Sequence, residues 1–379
     1  MRIVLIAGET SGDLLGASVV RALRAQYPDC ECLGVTGPRM REAGCASIGD
    51  IESLSVMGLF EVLRELPRLI RFRRALRDTI LALEPDLVLG IDAPDFNLGL
   101  EGMLRGAGCT TAHMVSPTVW AWRPRRRFGV ARNCHAVLCL YPFEPACYAD
   151  TNVRAEYIGH PLADELDDTV PATEARAELG LEPEQPLLAV LPGSRRSEVE
   201  RLMPPFAEAA AKLAERYPGL RAVVPVASPH LRPLIAAHLS EAQGLEWTLV
   251  EGASRSVMRA ADLCLLASGT VTLECLLLGR PMVVAYRASA ATIWLLRSLR
   301  LVRTTHFSLP NILTGEATVP ELLQQEVTAD HLLTAMQPLW ADAEARQRQL
   351  DRFAAVRDAL RQDAASTTAR LIGELAARP

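Results

Sequence analysis

The segment DLVLGIDAPDFN, residues 86–97, decides the fold. An apolar run, Leu87–Ile91, ends on Asp92; Pro94 stiffens the turn and an amphipathic stretch starts near Phe96. This is how a buried parallel strand feeds a helix. MRIVLIAGETSGD, residues 1–13, repeats the pattern, with a strand over Ile3–Ala7 and a glycine turn leading to a helix over Leu14–Gln26. In open α/β sheets ligands collect outside the carboxyl ends of the strands. Glu9, Asp13, Asp92 and Asp95 are therefore expected on one rim, with Ser11 and Asn97 as hydrogen-bonding neighbours. A carboxylate rim suits proton removal from a hydroxyl, or binding of a polyol, better than it suits a phosphate. Asp95 is placed to cap the helix, which leaves Asp92 as the better general-base candidate.

The same rhythm continues. Cys32–Thr36, Thr111–Val115, Ala136–Leu140 and Ala155–Ile158 read as further strands, with a helix over Phe60–Leu83 among the intervening patterns. After IGHPLADEL the acidic, proline-containing stretch 167–186 reads as a linker, with a short ARAEL helix inside it. The rhythm then restarts in LLAVLPGSR (187–195), RAVVPVAS (221–228), WTLVEG (247–252), DLCLLAS (262–268) and PMVVAYRA (281–288). The fold class expected is α/β, two doubly wound domains facing a cleft. Residues 1–166 form the first, 167–340 the second, and 341–379 helices that pack outside one domain or cross back to the other.

Composition narrows the function. The chain has 379 residues, 49% hydrophobic and 22% charged, which is globular and long enough for two cores. A formal net charge of −5 argues against a general nucleic-acid binder. Lys212 is the sole lysine beside many arginines. Nine cysteines show no C-x-x-C pair or zinc spacing, and most lie in apolar runs, as free thiols of a reducing compartment do. No window reaches the ~18–20 apolar residues of a membrane span, and the amino-terminal run is too short for a signal peptide. A soluble or peripheral protein is expected.

Three motifs in the second half bear on phosphate and nucleotide chemistry. In LPGSRRSEVE, residues 191–200, a strand enters a Pro-Gly-Ser turn ahead of a helix, with Arg195 and Arg196 at its start. Helix-start amides beside arginine make a pyrophosphate seat, although an ordinary turn with solvated arginines fits the same letters. In ASGTVTLE, residues 267–274, Ser268, Gly269 and Thr270 form a second small-residue turn, with Glu274 four residues beyond Thr270. That carboxylate is placed either to hold two ribose hydroxyls or to complement the helix dipole. SLPNILTGEATVPELLQ, residues 308–324, supplies the amides Asn311 and Gln324, as base or phosphate contacts or as loop supports.

Residues 54–78 mix Leu, Val, Met, Phe and Ile with six arginines, and VSPTVWAWRPRRRFGVAR (115–132) adds Trp120, Trp122 and five more. This pattern fits a face lying in a lipid interface, or a sheet-packed helix with a solvated basic side. His113, His135, His160 and His306 lack ligand spacing and read as structural.

Taken in order, AGETSGD, GPRM, SVMG, GIDAPDFN, SPTVWAWR, IGHP, LPGSR, ASGTVTLE and SLPNIL resemble the lipid-A-disaccharide synthases from Ala7 to Leu313. The resemblance implies two Rossmann-like domains of the GT-B type and an inverting glycosyltransferase without metal or other cofactor. Its substrates would be UDP-2,3-diacylglucosamine and 2,3-diacylglucosamine 1-phosphate, joined through a β-1,6 linkage. By the matching motifs Asp92 is the base, Glu9 and Ser11 lie near the acceptor with Asp95, and Arg195, Ser268, Gly269, Thr270, Glu274, Asn311 and Gln324 serve UDP. Arg196 receives no role. The resemblance also implies peripheral attachment at the cytoplasmic face of the inner membrane and a homodimer that exchanges its carboxyl-terminal segments. A UDP-N-acetylglucosamine 2-epimerase, a lipid-linked sugar transferase and a non-catalytic UDP-sugar-binding protein are the competing readings.

Overall fold

The computed structural model describes residues 1–54, 59–121, 123–241, 244–288 and 306–377, with backbone alone at 59–67 and 241. The chain divides into two compact units, Met1–Asp164 with Ala359–Pro379, and Glu165–Asp358.

In the first unit β1 (Arg2–Ala7), β2 (Glu31–Thr36), β3 (Ala46–Asp50), β4 (Leu87–Ile91), β5 (Thr111–Met114), β6 (Ala136–Cys139) and β7 (Arg154–Tyr157) form one sheet. The order is β3-β2-β1-β4-β5-β6-β7 and every pairing is parallel. Helices cover both faces, so the central strands are apolar at every position rather than at alternate ones. Ile3, Leu5 and Ala7 enter one layer with Val19, Val20 and Leu23 of helix Thr10–Gln26. Val4 and Ile6 enter the other, against Leu76 and Ile80 of helix Leu59–Ala82 and Phe96, Leu100 and Leu104 of helix Pro94–Gly106. The carboxyl-terminal part of helix Leu59–Ala82 is thus sheet-packed. The amino-terminal part of the basic stretch and Trp122 lie outside the residues whose side chains are described.

The last helix, Ala364–Ala376, completes the first unit by placing Ala369, Leu371, Ile372 and Leu375 beside Leu23. Its start is held by Asp164, whose carboxylate accepts from the amides of Asp363 (3.1 Å) and Ala364 (2.7 Å). Gly373 leaves room for Tyr27, since a Cβ there would lie 2.1 Å from the phenol oxygen.

The second unit has β8 (Leu187–Leu191), β9 (Arg221–Val226), β10 (Glu246–Glu251), β11 (Leu263–Ala267), β12 (Met282–Tyr286) and β13 (Glu321–Leu323). They run in the order β10-β9-β8-β11-β12-β13, again all parallel. Helix Ala343–Leu360 inserts the buried Gln349, which accepts from the Met282 amide at 2.8 Å and donates to the Met282 and Thr318 carbonyls. β3 and β13 are the strands that sequence patterning misses. Both lie at sheet edges, where half-buried residues replace the continuous apolar run.

Candidate active site

In each sheet the strand order reverses once, between β1 and β4 in the first unit and between β8 and β11 in the second. The crevice beyond the carboxyl ends at such a switch point is where doubly wound sheets bind ligands. The singled-out motifs follow those four strands: AGETSGD after β1, DAPD after β4, PGSR after β8 and SGT after β11.

At the first switch point Glu9 stands at the start of helix Thr10–Gln26, and the Ser11 hydroxyl donates to its Oε1 at 2.9 Å. Asp92 and Ala93 leave β4 in the left-handed region, with φ of 53° and 42°, a conformation that non-glycine residues adopt only where surroundings enforce it. The Asp92 amide donates to the Met114 carbonyl at 2.9 Å, which fixes the turn against β5. Burial raises the Asp92 carboxyl above its ordinary value, and the neighbouring Glu9 carboxylate raises it further. The Ala93 amide and His113 act in the opposite direction. A carboxylate made more basic in this way, and still partly open, is suited to accept a proton.

Asp13 and Asn97, expected on the rim, are buried instead. Asp13 is buried, with its carboxylate accepting from the amides of Gly37 (2.8 Å), Arg39 (2.9 Å) and Met40 (3.0 Å). It caps helix Pro38–Glu42 and faces the interior because the Met40 side of helix Thr10–Gln26 is the packed side. Asp95 does not cap its helix, whose N-cap is Ala93. Its carboxylate instead lies exposed at the first turn, paired with Arg126. Asn97 is fully buried and donates to the carbonyls of Ile6 (3.2 Å), Ile91 (3.2 Å) and Asp92 (2.8 Å).

At the second switch point a pocket of about 470 Å³ is lined by Gly193, Ser194, Arg195, Ser268, Gly269, Thr270 and Glu274 among others. Glu198, which the sequence motifs do not single out, organises the PGSR turn. One of its oxygens accepts from the amides of Ser194 (3.0 Å) and Arg195 (3.2 Å), while the other pairs with the Arg195 guanidinium at 3.0 Å. Gly193, at φ 115°, permits this, since a Cβ would lie 2.4 Å from Glu198 Oε2. Two of the backbone amides at this turn, those of Ser194 and Arg195, are therefore taken by Glu198. What faces outward is the Arg195 side chain, 80% exposed. Arg196 turns to Glu200 at 2.8 Å.

Helix Thr270–Leu277 starts at Gly269 with no side-chain cap among the described residues, and Thr270 and Val271 of its first turn line the pocket. Glu274 is held on a single oxygen, Oε1, by Arg255 at 3.0 Å, and Arg255 also binds Glu165 at 2.9 Å. This arginine bridge is invisible in sequence, because it joins positions nineteen residues apart, with Arg255 in the first turn of helix Ser254–Ala260.

Asn311 and Gln324 are not brought to this pocket. The Asn311 amide closes on Val319, donating to its carbonyl at 2.8 Å and accepting from its N–H at 2.7 Å. Gln324, at φ 55°, accepts from the Ala288 amide at 3.3 Å.

Around β5 to β7 the Trp120 indole donates to Glu144 at 3.3 Å, and Glu144 also accepts from the amides of Leu140 and Tyr141. Burial pushes Glu144 up to about 7 and the nearby His160 down to about 4. His113, read as structural, pairs with Glu101 at 2.7 Å, both buried. All nine cysteines are free thiols. Among the described residues no helix is long and apolar enough to cross a membrane.

A family model described as lipid-A-disaccharide synthetase matches residues 3–374. The chain belongs to the lipid-A-disaccharide synthase family. One family relative, from Chromohalobacter salexigens, is 48% identical over 376 residues, 99% of this chain and 97% of that protein. Another, from Pseudomonas aeruginosa, is 45% identical over 378 residues, 100% of this chain and 99% of its own. Solved structures share the fold at low identity. The UDP-GlcNAc 2-epimerase of Neisseria meningitidis superposes with a TM-score of 0.66 at 13% identity, covering 99% of this chain and 100% of that one. Acinetobacter baumannii MurG does so at 0.57 and 15%, covering 98% and 99%. The family fold is thus the two-sheet GT-B arrangement. The full-length family match favours the synthase over an epimerase, a lipid-linked sugar transferase or a non-catalytic UDP-sugar-binding protein.

Proposed function

We propose that this family member transfers the 2,3-diacylglucosaminyl group of UDP-2,3-diacylglucosamine to the 6-hydroxyl of 2,3-diacylglucosamine 1-phosphate, with inversion and release of UDP. The observation that carries the reading is 48% identity to a lipid-A-disaccharide synthase along nearly the whole chain. The chemistry fits the two switch points. The acceptor oxygen bonds to the anomeric carbon on the face opposite UDP, its proton passes to Asp92, and the electron pair of the breaking bond leaves on the diphosphate. Asp92 is supported in this role by its strand-end position and raised carboxyl. Glu9, oriented by Ser11, lies beside it, and Asp95 with Arg126 borders the acceptor side.

On the donor side Arg195 and the helix-start amides of Gly269 and Thr270, beside Ser268 in the pocket wall, stabilise the growing negative charge. Glu274 offers the oxygen not held by Arg255 to the ribose hydroxyls. Asn311 and Gln324 serve UDP by shaping their loops. No metal or other cofactor enters the proposed scheme.

The acyl chains call for an apolar host. Ile70 and Phe128, exposed among arginines, favour peripheral attachment to the cytoplasmic face of the inner membrane. A homodimer that exchanges helix Ala364–Ala376 would reuse the contacts that helix makes with Leu23 and Tyr27.

The test is product formation by the purified chain in detergent with chelator, the linkage being determined by NMR. Acceptor-dependent UDP release with a β-1,6 disaccharide is expected. UDP binding without acceptor-dependent product would return the non-catalytic reading, and a free 2-epimer the epimerase reading.

A further inference from the structure

Beneath the Asp92 turn lies a buried polar cluster that the scheme above leaves unused. Two consecutive non-glycine residues, Asp92 and Ala93, hold left-handed backbone, which persists only where the surroundings impose it. Asn97 imposes it, because its amide group reaches the Ile6 carbonyl of β1, the Ile91 carbonyl that ends β4 and the carbonyl of Asp92. Gly8 lets the turn dock, since a Cβ there would lie 2.2 Å from the Ala93 Cβ.

One helical turn beyond Asn97 is Glu101, which sends its carboxylate under β4 into space left by Gly90. A Cβ on Gly90 would lie 2.0 Å from Glu101 Oε1. Gly90 is the register partner of His113 on β5, and His113 Nδ1 meets that same oxygen at 2.7 Å. Glu101 is 1% exposed and His113 is fully buried. Asn97 Oδ1, Glu101 Oε2 and His113 Nε2 are buried with no hydrogen-bond partner among the described residues. A core that served packing alone would fill this volume with apolar side chains, which cost less to bury.

We propose that Asn97, Glu101 and His113 are positioning residues for Asp92: Asn97 locks its backbone, and the Glu101-bound imidazole sets the pH range in which it works. The proposal rests on the reading of Asp92 as the base. His113 opposes the effects of burial and of Glu9 on the Asp92 carboxyl. The Glu101 carboxylate holds the His113 ring at 2.7 Å, so Glu101 acts on Asp92 through His113. The other charged or titratable groups beside the cluster are Glu9, at the start of helix Thr10–Gln26, the Cys134 thiol and Arg105.

The test is the pH profile of disaccharide formation by full-length wild type, His113→Gln, Glu101→Gln and Asp92→Asn, with circular dichroism and UDP affinity as controls. In His113→Gln the acidic limb should move to higher pH by about 0.5 unit or more, because an opposing charge has been removed. Glu101→Gln separates the routes by sign. Acting through His113, it moves the limb upward; acting directly, by loss of a nearby negative charge, it moves the limb downward. Should His113→Gln fail to fold, the near-isosteric Glu101→Gln carries the test alone. Upward movement supports the proposal, and a downward or unmoved limb in folded protein overturns it. If Asp92→Asn keeps wild-type activity, the base assignment falls and the proposal with it. If Asp92→Asn is inactive and the limb stays still, the proposal alone falls.

Discussion

Replacing Asn311 by Ala tests whether this amide serves the nucleotide by touching it or by holding its loop. Asn311 and Val319 are each 1% exposed and joined by two short hydrogen bonds, 2.7 and 2.8 Å. Removing the amide leaves the Val319 N–H and C=O both buried and unpaired, at about 1–3 kcal/mol per group. The expected loss is about 2–6 kcal/mol. For a unit of this size, at about 2–4 °C per kcal/mol, the melting temperature should fall by about 4–24 °C. Circular dichroism gives the transition, and calorimetric titration with UDP well below it gives affinity, which should change less than about threefold. Asn311→Asp keeps the acceptor for the Val319 amide but faces the Val319 carbonyl with a carboxylate, so it should lie at least as low. An unchanged melting temperature together with a tenfold weaker UDP affinity would refute the reasoning and return Asn311 to the nucleotide pocket.

Other outcomes follow from the same geometry. Asp13→Ala leaves two buried amides and one partly buried amide unpaired and should cost about 3 kcal/mol or more, read as a lower urea midpoint. Arg195→Ala, at a side chain 80% exposed and paired with Glu198, should leave the melting curve unmoved while weakening UDP binding about 10-fold to 100-fold. His160 and Glu144 should give opposite pH trends in the first unit. The His160 value falls from 6.5 to about 4 on folding, so its contribution is present above 6.5 and is lost as pH falls through 4, amounting to about 3 kcal/mol. The Glu144 value rises from 4.5 to about 7, so its contribution is present below 4.5 and is lost as pH rises through 7. His160→Asn removes the first trend, and urea unfolding at pH 7 and pH 5 should show the variant gaining on wild type at the lower pH.

The sheets were legible wherever both faces are covered, because a fully buried parallel strand leaves a continuous apolar run such as Leu87–Ile91 or Leu263–Ala267. Edge strands β3 and β13 leave no such run. Strand-end position also put Glu9, Asp92 and Arg195 at the two switch points without any contact being known, while their roles belong to the proposed function. It could not tell which way a polar side chain turns. Asp13 lies four residues after Glu9 yet points into the protein, because helix Thr10–Gln26 packs that side against Met40. Asn311 is spent on a residue eight positions away. The Glu101–His113 pair depends on the register of β4 with β5, which no local pattern carries. Its one trace was a glycine inside an otherwise branched strand, followed by an acidic residue on the apolar side of the next helix.

The central claim is that Asp92 takes the acceptor proton while the second unit holds UDP. Turnover of Asp92→Asn, measured beside its UDP affinity, tests this most directly. The account predicts a fall in kcat of about 10²-fold or more with UDP affinity within about twofold of wild type. Wild-type turnover in the folded variant would contradict it, and would move the proton to Glu9.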